Sequence, residues 1–190
     1  MLTMSLLPRD GYRSTRMQSE CKKNMNAANS DFLRVVWPAI KNKCDGGELH
    51  SCESDASPVL DLLDKFSGID WLQHLPGGVR GIAARVQWVD SAFSTYTIRC
   101  KTQSGNATEM EKRLKTDRGF FYPHMTVQAY IAKPRGFGQL LQVYVCETTA
   151  LYDCVRSGNM RTKDNPFDGN VFAIVDVADI KKCWTWNKAC

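Results

Sequence analysis

Two apolar segments joined by a short turn constrain the fold more than any other feature of the chain. Residues 69–75 and 79–89 are both rich in aliphatic and aromatic side chains, and a Pro-Gly-Gly turn at residues 76–78 separates them. Apolar runs bounded by proline and glycine are typical of strands, and so short a connection is typical of an antiparallel hairpin. The sequence therefore predicts two neighbouring antiparallel strands, with the carboxylate of Asp70 at the start of the first.

Hydrophobic periodicity and glycine or proline breaks predict the other elements. Helices are predicted at residues 15–25, 32–43, 57–66, 108–118, 148–157 and 176–183, and further strands at residues 94–101, 125–132, 140–146 and 171–175. This mixed order is typical of one α/β (α+β) domain with a mixed central β-sheet flanked by helices. We place the domain at residues 29–190, after a polar N-terminal extension at residues 1–28.

The charge of the chain favours an acidic partner. The formal net charge is +5, and the basic residues are spread along the 190 residues instead of forming a run. A mildly basic protein of this kind is suited to nucleic acid, and we expect DNA as the partner. The composition does not indicate the oligomeric state, and a protein partner stays open.

The eight cysteines are expected to be reduced thiols. None of them forms a C-x-x-C pair, which argues against a structural zinc site. The apolar run at residues 1–7 is too short for a signal peptide and meets Pro8 and Arg9 at once. No stretch approaches the length of a membrane span. We therefore expect a cytoplasmic protein that does not associate with membranes.

Strand alternation puts Arg85 and Gln87 on one face of the second strand, because residues two apart point to the same side of a sheet. If the third predicted strand forms a simple hairpin with the second, Arg85 comes near Arg99. By the same register, Gln87 comes near Thr97. The sequence thus predicts guanidinium groups and an amide on one sheet face, with Asp70 at its edge.

These two strands resemble the core hairpin of a known nuclease superfamily. Residues 67–72, which carry Asp70, and residues 81–88, which carry Arg85 and Gln87, are similar to the paired strands of the PD-(D/E)XK, or restriction-endonuclease-like, superfamily. The chain is identified as a divergent member of that superfamily. The resemblance implies a restriction-endonuclease-like fold and hydrolysis of DNA phosphodiesters with Mg (or Mn).

The resemblance covers residues 57–101 and extends more weakly to residues 140–183. In the superfamily, the second strand normally carries an acid or glutamine and then a lysine two residues later, whereas Gln87 is followed at that spacing by Val89. The positively charged side chain of the site would then come from Arg85 on the same strand, or from Arg99 or Lys101 on the neighbouring strand. By resemblance, the catalytic residues are Asp70, Arg85, Gln87 and Lys101, the metal ligands are Asp70, Glu53 and Asp61, and the nucleic-acid-binding residues are Arg80, Arg99 and Gln128.

Two alternatives to a magnesium-dependent endonuclease stay open. The first is a protein with the same fold and an eroded site, which binds DNA or inhibits a protein partner without cutting. The second is a small interaction protein unrelated to nucleases. A phage, plasmid or defence context would suit the nuclease. The basic residues of the predicted helix at 108–118 are expected to form a solvated face, since acidic residues interrupt them.

Overall fold

The computed structural model describes residues 10–53, 57–102, 107–114, 122–166 and 169–187. They form a single mixed α/β domain with two β-sheets. The helices are α1 (Asp10–Asp31), α2 (Trp37–Ile40), α3 (Pro58–Leu62), α4 (Glu109–Leu114) and α5 (Thr148–Arg156). A π-helical turn at Phe32–Val36 joins α1 to α2, a second at Leu63–Ser67 extends α3, and 3₁₀ turns lie at Lys41–Cys44 and Val177–Asp179.

A six-stranded mixed sheet forms the centre of the domain. Its strands, in spatial order, are β1 (Glu48–Ser51), β2 (Trp71–Leu75), β3 (Gly78–Val89), β5 (Met125–Ala132), β6 (Leu140–Glu147) and β9 (Trp184–Asn187). The pair β3 and β5 is parallel, and the other neighbours are antiparallel. A second, antiparallel sheet has the order β4 (Thr95–Lys101), β8 (Val171–Asp176) and β7 (Arg161–Asp164).

The helical segment after α1 packs on one face of the central sheet. Its buried residues recur at helical spacing, and they are Phe32, Val36, Trp37, Ile40 and Cys44. Pro38 does not interrupt this segment, because it occupies the first turn of α2, where a missing N–H costs little. No helix in the described residues is long and apolar enough to cross a membrane.

The opposite face of the central sheet is covered by the second sheet and α5. Along β5, Val127, Ala129 and Ile131 enter the first core, while Tyr130 enters the second core together with Tyr96 and Leu151. This alternation is the ordinary period of a strand. A strand buried on both faces belongs in the middle of a sheet, and β5 therefore takes the position beside β3.

The predicted hairpin between residues 79–89 and residues 94–101, which are β3 and β4 of the structure, is wrong. β3 lies between β2 and β5, so both of its edges are already paired, and β4 crosses to the second sheet to pair with β8. The predicted α/β class with a mixed central sheet flanked by helices is confirmed. The hairpin of β2 and β3 is also confirmed, with Trp71 opposite Ile82.

Several short elements differ from the sequence expectations. β1, β7 and β9 are not predicted, because each has only four residues; β1 and β7 also lack apolar alternation, whereas β9 alternates Trp184 and Trp186 with polar residues. The expected helix at residues 176–183 is only the 3₁₀ turn at Val177–Asp179. The predicted helix at residues 15–25 is part of the longer α1, and the expected boundary at residues 28 and 29 falls inside that helix.

The described cysteines are free thiols, at positions 44, 52, 100, 146, 154 and 183. Burial raises the pKa of the Cys44 thiol to about 11 and that of the Cys52 thiol to about 12. These two side chains are therefore protonated at neutral pH, and a protonated thiol is neither a good nucleophile nor a good metal ligand.

Gly138 provides a test of the packing between the β5–β6 connection and β5. A Cβ added there would lie 1.6 Å from the carbonyl oxygen of Ala132 and 2.7 Å from Cγ2 of Ile131. We expect Gly138→Ala to lower the free energy of unfolding by about 2–3 kcal/mol, because backbone must move to relieve the overlap. Gly77→Ala is the control, since a Cβ there meets nothing within 4 Å. Equal urea midpoints for the two variants would contradict the described packing.

Candidate functional site

A cleft of about 460 Å³ opens between the central sheet, the second sheet and α4, with residues of α1 along one side. Its ionisable lining residues are the acids Glu53, Asp64, Asp70 and Glu109 and the bases Arg85, Arg99, Lys112 and Arg113. Clefts with this volume are in the usual range for ligand sites. The cleft contains Asp70, the residue on which the sequence prediction was centred.

Asp70 is held by backbone on both sides. Its N–H donates to the carbonyl of Ile82 at 3.0 Å, and its own carbonyl accepts the N–H of Cys52 at 2.9 Å. The carboxylate accepts the N–H of Ala84 at 2.5 Å. These bonds follow from the register of β2 and β3, and they fix the carboxyl group at the edge of the cleft.

The pKa of Asp70 is raised to about 7. Burial is the main cause, and the negative charges of Asp64 and Glu109 add to it, while the Ala84 N–H and the positive charge of Arg113 oppose it. A carboxyl group with this pKa exchanges its proton near neutral pH. Such a shift is typical of functional carboxyl groups, although ionic networks of structural importance also produce it.

Glu109, the first residue of α4, joins three elements. Its carboxylate forms an ion pair with Arg85 of β3 and accepts the backbone N–H of Arg99 of β4 at 3.2 Å. Burial raises the pKa of Glu109, but the positive charges of Arg85, Arg113 and Arg99 outweigh it and hold that pKa below its ordinary value. Glu109 is therefore a carboxylate at neutral pH.

The facing sheets bring together the residue pairs that the sequence places near each other. Gln87 donates to the hydroxyl of Thr97 at 2.9 Å. The guanidinium groups of Arg85 and Arg99 lie 5.2 and 6.0 Å from the centre of the Phe172 ring. The predicted proximities are confirmed, but the prediction that these residues share one sheet face is wrong. β3 and β4 belong to two different sheets, and β4 covers β3 from the second sheet instead of pairing with its edge.

Asp70 and two further acids, Glu53 and Asp64, line one part of the cleft. Glu53 accepts a hydrogen bond from Asn29 of α1. Burial raises the pKa of Glu53, and the charge of Asp64 adds to this rise as it does for Asp70. Lys112 donates to the backbone carbonyl of Asp64 at 2.8 Å. We call Glu53, Asp64 and Asp70 the acidic group.

Four predicted site residues do not line this cleft, and one of them is Gln87, whose amide is bonded to Thr97. Asp61 forms an exposed ion pair with Lys65 at 2.6 Å, so Asp64 and not Asp61 is the acid that α3 and its extension supply. Arg80 forms an ion pair with Asp45 at 2.7 Å. Lys101 is exposed at the end of β4. These positions do not support the roles that the resemblance implies for them.

The contribution of α4 to the cleft is not predicted from the sequence. The helix was expected to present a solvated basic face, and this is wrong for Arg113, which is buried and donates to the carbonyl of Gly68 at 3.4 Å. The sequence does contain a signal for the start of this helix. Thr108 and Glu111 form a capping box, in which each side chain accepts the backbone N–H of the other residue. That start places Glu109 on the same helix face as Arg113, four residues later.

The described residues of the cleft offer carboxylate oxygens for a hard cation, but not a complete set of ligands. No three acidic, histidine or cysteine side chains in the described ranges are arranged to hold a metal by themselves. Magnesium commonly takes only one or two carboxylates and completes its shell with water and phosphate oxygens. Asp64 and Asp70 supply carboxylates of this kind, so their chemistry suits such an ion.

The raised pKa of Asp70 predicts a pH-dependent effect of Asp70→Asn in metal-free protein. An aspartate in the unfolded chain has a pKa of about 3.9. Because the folded value is higher, Asp70 contributes stability that is lost as pH rises from about 4 to about 7, and the variant lacks this contribution. Over this pH range, the free energy of unfolding of the variant should therefore rise relative to that of the wild type, by on the order of a few kcal/mol. A difference in unfolding free energy that does not change with pH would contradict the described environment.

In comparisons with known proteins, no family model matches the chain, and no curated protein or solved structure matches it. The resemblance to the PD-(D/E)XK superfamily therefore stays a prediction from the sequence.

Proposed function

We propose that the protein is a nuclease-like phosphodiesterase that acts on DNA with a divalent cation. The observation that carries this proposal is the pairing of an acidic group with three arginines in one cleft. Hydrolysis of a phosphodiester needs negative oxygen ligands for a hard cation and positive groups for the phosphate. The cleft offers both within about 460 Å³.

The residues divide into two roles. Asp70 and Asp64 would hold magnesium or manganese, which when bound neutralises phosphate charge and lowers the pKa of a bound water. Binding of a cation favours the ionised form of Asp70, so its proton is released as the metal enters. Arg85 and Arg99 would contact phosphate oxygens, and guanidinium groups are well suited to that contact because of their planar fork of donors.

Binding without cleavage is the second candidate, and a specific observation favours it. Gln87 carries no charge and donates to Thr97, so it does not supply an acid on β3. Glu109, the remaining carboxylate of the cleft, is neutralised by the arginines around it. A protein with such a site would bind DNA through its cations and would lack turnover.

Asp70→Asn should abolish cleavage while the fold is retained. The protein is incubated with plasmid DNA, single-stranded DNA and RNA in magnesium and then in manganese. We expect the cleavage rate to fall by about a hundredfold or more, because the substitution removes a formal charge from the metal site. Binding should weaken less, since the arginines remain. Asp61→Asn is the matched control, because Asp61 is exposed and lies outside the cleft.

The outcomes separate the candidates. Cleavage that survives both Asp70→Asn and a chelator would contradict the metal-dependent mechanism. Salt-sensitive binding without cleavage by the wild type would favour the second candidate. A wild-type protein that neither cleaves nor binds nucleic acid would refute both and would point to a protein partner.

A further inference from the structure

Three residues that line the cleft carry a buried side-chain nitrogen with no hydrogen-bond partner in the described part of the chain. These atoms are Nε2 of Gln128, Nε of Arg99 and Nε of Arg113. Gln128 is 1% exposed and Arg113 is 6% exposed. Leaving a buried donor unpaired costs about 1–3 kcal/mol, so three of them in one cleft call for an explanation.

The orientation of the Gln128 amide is set by its neighbour. Its Oε1 accepts the backbone N–H of Thr97 at 3.3 Å and lies 3.2 Å from the Thr97 hydroxyl oxygen. A backbone N–H can only donate, so the amide must present its oxygen to Thr97. The NH₂ group is thereby left without a partner, and turning the amide over would break the bond to Thr97.

All three unpaired atoms are hydrogen-bond donors, so the missing partner must be an acceptor. A water molecule accepts at most two hydrogen bonds, whereas an oxyanion accepts many and has no hydrogen to place against a donor. The local charge agrees, since the three guanidinium groups of Arg85, Arg99 and Arg113 surround Glu109. The ring of Phe172 lies against two of these guanidinium groups, which limits their freedom to turn away.

We propose that Gln128, Arg99 and Arg113 form an anion subsite that takes a phosphate group of nucleic acid. The subsite deepens the proposed function and rests on it for the identity of the ligand. Arg113 interacts with both Asp70 and Glu109, so the subsite adjoins the acidic group. A phosphate bound there would lie beside Asp70, and its oxygens would satisfy the three donors. Gln128 and Arg113 thus act as binding residues that select a phosphate by donor pattern.

The experiment uses inorganic phosphate as the probe, with the full chain at pH 7 in EDTA. Thermal unfolding is followed as phosphate is added, and chloride at matched ionic strength is the reference. We expect a saturable rise in Tm with phosphate alone. Gln128→Glu keeps an acceptor for Thr97 but removes the NH₂ group, and it should weaken phosphate binding by about tenfold or more. Gln142→Glu on β6, outside the cleft, makes the same change of charge and should leave binding unaltered.

Arg99→Lys is the second variant, because it keeps the positive charge and loses the Nε donor. It should also weaken phosphate binding by about tenfold. A wild-type protein for which phosphate stabilises no more than chloride would overturn the proposal, whether or not the variants fold. Unchanged phosphate affinity in either folded variant would overturn it as well.

Competition identifies the source of the phosphate. Inorganic phosphate should displace a labelled single-stranded oligonucleotide from the wild type, and Gln128→Glu should weaken both ligands together. Phosphate that binds without displacing the oligonucleotide would overturn the assignment to nucleic acid. The experiments distinguish the proposed subsite from the proposed hydrolysis. Phosphate binding without cleavage of nucleic acid would refute only the hydrolysis. Cleavage by a protein that does not bind phosphate would refute only the subsite.

Discussion

The site depends on the contacts that the carboxylate of Glu109 makes with two other elements of the fold. This carboxylate links α4 to β3 through Arg85 and to β4 through the backbone N–H of Arg99. These are the three walls of the cleft, and no other described ion pair joins β3 to α4. The Arg85–Glu109 pair is partly buried, and removal of one partner would leave the other charge without its compensating group. The cleft and its charges therefore depend on one residue at a helix start.

The arrangement around Glu109 explains how acids and arginines coexist at short range. Glu109 is ionised and neutralises part of the positive charge, whereas Asp70 is partly buried, with a pKa of about 7, and carries only part of a negative charge at neutral pH. Under the proposed function, the arginines would remain available for an anion, and Asp70 would gain its full charge on binding a cation. A phosphate and a hard cation would then each favour binding of the other, as phosphodiester hydrolysis requires.

Apolar runs and turn residues in the sequence predicted the strands whose formation depends mainly on neighbouring residues. The β2–β3 hairpin, β5 and β6 have strong apolar runs with clear turns between them, and the sequence places them correctly. The parallel pairing of β3 with β5 and the departure of β4 to a second sheet depend on contacts between distant segments, which periodicity does not report. Arg113 was missed for a related reason, since a helix of mixed charge resembles a solvated one until its partners in other elements are known.

Hydrogen exchange with and without a single-stranded oligonucleotide, in EDTA so that nothing is cleaved, tests most directly whether nucleic acid enters this cleft. The account predicts slower exchange in α4 and at residues 24–29 of α1, which line the cleft, and unchanged exchange in β9 at the far edge of the central sheet. Binding of the oligonucleotide with unchanged exchange in α4 and at residues 24–29 would contradict the account.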